Sequence, residues 1–137
     1  MPEDCLESLP DLTLLVKGLR EREINQQTGK IKKGAFIPRR NGNDDDGLSV
    51  SQPCSDSLQE LKMRLQNKDG LFCQLVVGSV RLIEEQKIKL DVWPDPTESD
   101  HYHSLIKGVP VSLAEAAVAN RLAGKLAEVS SLYAPRP

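Results

Sequence analysis

Four arginines, two serines and two histidines carry the chemistry this chain offers. The guanidinium groups of Arg20, Arg22, Arg39 and Arg40 can each grip a phosphate or carboxylate through paired N–H donors, and they are the anion-binding candidates. Ser49 and Ser51 alternate with Leu48 and Val50, so in an extended strand both hydroxyls lie on one face. His101 and His103 are the only histidines, and Asp95, Glu98 and Asp100 lie close by in sequence. Their i, i+2 spacing puts both imidazoles on one side of an extended segment, where they offer acid–base chemistry or two metal ligands. Two ligands from one loop do not complete a coordination sphere, and no metal is expected. His103 and Ser49 are the catalytic candidates, with Arg20 completing a pocket if the three meet. No GxSxG, Walker, GxGxxG or HExxH pattern is present, so no named catalytic machine or nucleotide-binding loop is indicated, and no cofactor is expected.

The arginines belong to an uneven distribution of charge. Between Lys30 and Arg40 there are five cations and no acid, and the aspartates Asp44, Asp45 and Asp46 follow at once. Opposite fields at the two ends of a short connection can form one wall of a polar cleft or simply solvate a loop. The whole chain balances 18 basic against 20 acidic residues for a net charge of −2, which excludes a protein that coats nucleic acid or anionic membrane nonspecifically. Any anion binding must therefore be local. Cys5, Cys54 and Cys73 are odd in number and lack CxxC spacing, which fits a reducing compartment with Cys73 as a core thiol. No apolar run is long enough to span a bilayer, and the acidic start Met1-Pro2-Glu3-Asp4 lacks the features of a signal peptide, so a cytoplasmic location is expected.

The elements that must position these groups follow from periodicity and punctuation. At 137 residues the chain is the size of one domain, expected over 11–133 with a flexible start (1–10) and tail (134–137). With aromatics at 4%, the core must rest on Leu, Ile, Val and Ala. Leu12 to Val16 reads as a buried strand, Arg20 to Asn25 as exposed surface, and Asn25 to Gly29 as a turn. Two short strands are expected at Ala35 to Pro38 and Leu48 to Ser51, the first at an edge because Pro38 cannot donate to a ladder. Ser57-Leu58-Gln59-Glu60 is a capping box opening a helix with Leu58, Leu61 and Leu65 on one face.

Leu71 to Ile83 is the most apolar segment and reads as a strand with a bulge or close contact at Gly78, followed by a polar turn at Glu84-Glu85-Gln86. Ile88, Leu90 and Val92 alternate with Lys87, Lys89 and Asp91, and the two runs are expected to form a hairpin. A second capping box, Ser112 to Glu115, opens an Ala-rich helix whose stripe is Val118, Leu122, Leu126, Val129 and Tyr133. The fold class is α+β, an antiparallel sheet of about four to five strands packed against at least two helices.

An arginine near the start, a Gly-Lys-Ile segment leading to Ala35-Phe36-Ile37-Pro38, then Asp46-Gly47-Leu48-Ser49-Val50, and finally His103-Ser104-Leu105-Ile106-x-Gly108-Val109-Pro110 before an Ala/Leu helix form a pattern. It resembles small bacterial single-domain proteins with GLSV and HxxIxGxP segments, and it spans about Leu12 to Leu132. The resemblance implies a stand-alone domain in which Arg20 or Arg22, Ser49 and His103 converge, and it brings no established activity with it. Two functions are open. One is a small binding or accessory module acting through a protein partner or self-association, using a sheet edge near Phe36 to Pro38 or the last helix. The alternative is a small enzyme or toxin-like protein acting on a phosphate-bearing substrate, a nucleotide or RNA, through an Arg/Ser/His cleft.

Overall fold

The computed structural model describes residues 9–38 and 47–135, so Arg39, Arg40, the three aspartates, Cys5 and the expected flexible start lie wholly or largely outside the described residues. Strands β1 (Leu14–Gly18), β2 (Leu48–Ser51), β3 (Phe72–Val76), β6 (Asp91–Pro94), β7 (His103–Lys107) and β8 (Ser131–Tyr133) form one sheet in the order β6-β7-β2-β1-β3-β8. Every neighbouring pair is antiparallel. Helices α1 (Leu58–Arg64), α2 (Val77–Arg81) and α3 (Ala116–Val129) complete the α+β fold, with a separate ribbon of β4 (Glu84–Glu85) and β5 (Ile88–Lys89). Among the described residues no helix is long and apolar enough to cross a membrane.

Strand alternation divides the sheet's side chains between two unequal faces. On one face Leu15, Leu48, Val50, Leu75, Val92 and Ile106 are buried in the main core, which α3 joins through Leu122 and Leu126. On the other, Val16 and Phe72 pack against Leu61 of α1, with Leu58, Leu65 and Tyr133 around them. Burying side chains of this size contributes roughly 1.5–3 kcal/mol each, so α1 is held firmly on the β1–β3–β8 half of the sheet. The β2–β7–β6 half of that second face carries Ser49, Ser51, His103, Leu105 and Trp93, as the register pairs Ser49 with Leu105, Ser51 with His103 and Trp93 with Leu105.

The capping box at α1 forms as its residue types require: Ser57 Oγ accepts from Glu60 N at 3.3 Å and Glu60 Oε1 accepts from Ser57 N at 2.9 Å. Elsewhere tertiary packing overrides local pattern. Ala35 to Pro38 is not an edge strand; Lys33–Phe36 is a 3₁₀ turn in which Ala35 and Phe36 are buried. Its Ala35 N donates to Lys32 O at 3.1 Å, and Phe36 fills the core instead of pairing with a neighbour. The docking edge expected there is absent, because Pro38 is buried too.

The apolar run after Gly70 also changes character. It is a strand only to Val76, after which Val77 and Val80 are fully buried at helical spacing in α2. Gly78 makes a close contact, for an added Cβ would lie 3.1 Å from Asp11 Cβ and from Asp11 O. The expected hairpin partner divides at Leu90, since Lys89 pairs with Glu84 whereas Asp91 pairs with Lys107. The sheet reaches six strands, more than the four to five expected, partly because the last helix stops at Val129. Ser130 N and Oγ both donate to Ala127 O, at 3.2 and 2.9 Å, and Tyr133 then pairs with Phe72 in β8 instead of extending the helical stripe.

Candidate functional site

A cleft of about 660 Å³ opens over the second face of the sheet where α1 ends. One wall is the end of β1 and the 3₁₀ turn Glu21–Glu23, another is the connection from α1 to β3, and the loop before β7 closes the third side. Arg20, Arg22, Ser49, Ser51 and His103 all line it. His101 is exposed and does not line it. Five cations, Lys17, Arg20, Arg22, Arg64 and Lys68, stand in the lining against three carboxylates, Glu23, Asp69 and Asp100. A chain that is net negative therefore concentrates positive charge in this concavity.

The floor is fixed by Asn67. Its Nδ2 donates to Leu71 O at 2.9 Å and to Leu19 O at 3.3 Å, and its Oδ1 accepts from Gly70 N at 3.0 Å. These bonds tie the α1–β3 connection to the end of β1 and need a glycine at position 18, where an added Cβ would sit 2.6 Å from Asn67 Nδ2. The turn carrying Arg20 and Arg22 is held by Glu23, whose Oε1 accepts from Arg20 N at 2.8 Å. Glu23 is thus engaged with backbone. Among the described residues no carboxylate pairs with the side chains of Arg20, Arg22 or Lys68.

Arg64 is the opposite case. Its Nε donates to Asp56 Oδ2 at 2.9 Å, Nη1 to Ser51 Oγ and Asp100 Oδ1 at 2.7 Å each, and Nη2 to Gln52 O at 2.6 Å. Its guanidinium carbon lies 5.7 Å from the centre of the Tyr102 ring. Burial alone would lower the guanidinium pKa, but the hydrogen bonds and charges of Asp56 and Asp100 outweigh it and the pKa rises. Ser51 and Asp100 are buried, so this cluster joins β2, α1 and the 97–103 loop and leaves little of Arg64 for a ligand.

The His103 ring is oriented by Asp95. Its Nδ1 lies 2.8 Å from Asp95 O and 3.2 Å from Asp95 Oδ2. A carbonyl oxygen only accepts, so Nδ1 carries the proton and, in the neutral ring, Nε2 holds the lone pair. Ser49 and His103 are diagonal neighbours across β2 and β7, which separates the two residues by roughly 7–8 Å, with their Cβ atoms somewhat closer. No hydrogen bond joins them, and the Ser49 hydroxyl has no protein partner among the described residues. A ligand atom between the two fits better than attack by Ser49 activated directly by His103.

Neither described thiol is set up as a nucleophile. Burial raises the Cys54 pKa even though Arg64 is close, and it pushes Cys73 up to about 11. Arg64 and Lys68 escaped sequence reasoning because each looks like an ordinary polar position on a helix flank or loop, and Asp100 was singled out only as a neighbour of the histidines, not as a partner of Arg64. No family model, no curated protein and no solved structure matches this chain.

Proposed function

We propose that the chain binds a phosphate-bearing ligand in this cleft and that His103 accepts a proton from it or from an attacking group. The supporting observation is the pairing of cations with an oriented imidazole: among the described residues Arg20, Arg22 and Lys68 have no carboxylate partner, and Asp95 aligns His103, in the same concavity. Arginine forks match phosphate oxygens, and the low-dielectric floor of a cleft strengthens such contacts relative to open water. Ser49 contributes a hydroxyl beside the anion.

A ligand that binds only the folded state raises stability by about 2.7 kcal/mol at a hundred times its Kd. Pyrophosphate or a nucleotide at millimolar concentration is therefore expected to raise the thermal midpoint, and Arg20→Ala/Arg22→Ala to abolish the rise. His103→Asn is expected to retain binding and lose turnover. Absence of any shift with phosphate compounds would return the protein to the partner-binding module, which keeps one observation in its support: the half-exposed Trp93 on edge strand β6.

A further inference from the structure

Trp93 is the single tryptophan of the chain, and it remains 48% exposed although it lies on a strand of the main sheet. Its neighbour Val92 points into the core at 1% exposure and pairs with the buried Ile106, so Trp93 points to the opposite face. That face is the one bearing the cleft. Trp93 pairs with Leu105, and Leu105 pairs with Ser49, so the three residues form one row across β6, β7 and β2. Two strand spacings place the Trp93 backbone roughly 10 Å from Ser49. His103 is the next residue along β7 on the same face as Leu105. An aromatic surface thus continues, just outside the cleft lining, the row that begins at Ser49, and from the Ser49 side of the cleft it lies at about the span between the phosphate and the base of one nucleotide.

Resting on the cleft reading above, we infer that the ligand is a nucleoside phosphate whose base stacks on Trp93 while its phosphate lies among Arg20, Arg22 and Lys68. Charge complementarity selects the phosphate end, and a flat π face that tolerates any base selects the other. The apolar Leu105, 9% exposed, lies between them, under the sugar. A purely inorganic anion would leave the tryptophan unused. A free mononucleotide and the phosphorylated end of a nucleic acid strand share this chemistry.

The test uses the full chain titrated with AMP, ribose 5-phosphate and inorganic phosphate, following thermal midpoint and tryptophan emission, which reports Trp93 alone. All three are expected to raise the midpoint, with AMP binding about tenfold tighter than ribose 5-phosphate and only AMP quenching the emission. Trp93→Leu, which keeps an apolar cover beside Leu105, should bring AMP down to the affinity of ribose 5-phosphate and leave the latter unchanged. Trp93→Phe, which keeps an aromatic face, should retain most of the advantage. A 5′-phosphorylated tetranucleotide that binds tighter than AMP identifies a strand end as the source, and equal affinity identifies the free nucleotide. Equal binding of AMP and ribose 5-phosphate with unmoved emission overturns the base site and leaves the cleft reading standing, as does an AMP advantage that survives Trp93→Leu. Failure of all three compounds to bind removes both.

Discussion

Arg64 and Arg22 line the same cleft, yet one donates to four protein groups and the other has no carboxylate within reach among the described residues. Arg64 lies with its side chain 15% exposed over a buried carboxylate, and its fork is consumed in joining β2, α1 and the 97–103 loop. Arg22 stands on a short turn between Glu21 and Glu23, and the second of these already serves the backbone. Charge that is spent inside the protein shapes a site, whereas charge left unmatched at the rim of a concavity is what a ligand can use. The difference shows in what each substitution should remove.

The largest effect is expected from Arg64→Ala, which strands Asp100 without its guanidinium partner and should cost about 3 kcal/mol in urea unfolding. Arg64→Lys should recover little, since one ammonium cannot reproduce a fork that meets four acceptors. If Arg64→Ala left stability unchanged while abolishing anion binding, the contrast between the two arginines would collapse. Gly18→Ala comes next, at about 2 kcal/mol, because the new methyl group displaces an Asn67 amide bonded to two carbonyls. Arg22→Ala should move stability by less than about 0.5 kcal/mol and weaken pyrophosphate about tenfold by calorimetry.

The smallest effect concerns acid stability, away from the cleft. Burial raises the Asp91 carboxyl, but its bonds to Arg81 and to the Val92 amide outweigh this and hold it below the usual carboxylate range. A depressed folded pKa contributes stability above the unfolded value, near 3.9 for an aspartate, that is lost as pH falls through the folded value. Asp91 is partly exposed, so the contribution is less than about 1 kcal/mol. Asp91→Asn should flatten the acid limb of the stability profile between about pH 5 and 2, measured by urea midpoints.

Parts of the fold were legible because their causes are local. The capping box at Ser57 and Glu60 needs only four residues, and the shared face of Ser49 and Ser51 follows from strand alternation alone. The misreadings share a different cause. A short apolar run does not distinguish strand from helix, and the unpaired first amides of α2, at Val77 and Gly78, are taken by Thr13 O and Asp11 O, far away in sequence. Phe36 leaves the strand pattern and lies in the main core with Leu122 and Leu126 of α3. At the site, Arg20, Ser49 and His103 were visible as residue types, while Arg64 was not, since Ser51, Gln52, Asp56 and Asp100 reach it from both sides along the chain.

By itself the sequence determined the α+β class, the start of α1, the strand bearing the two serines and the need for any anion site to be local in a near-neutral chain. Tertiary structure alone decided which arginine is spent and which has no carboxylate partner among the described residues, which imidazole nitrogen carries the proton, and that Trp93 shares a face with Ser49. The physical reason is range. Caps and alternation act over one to four residues, whereas an ion cluster and a shared sheet face exist only once strands distant in sequence have paired.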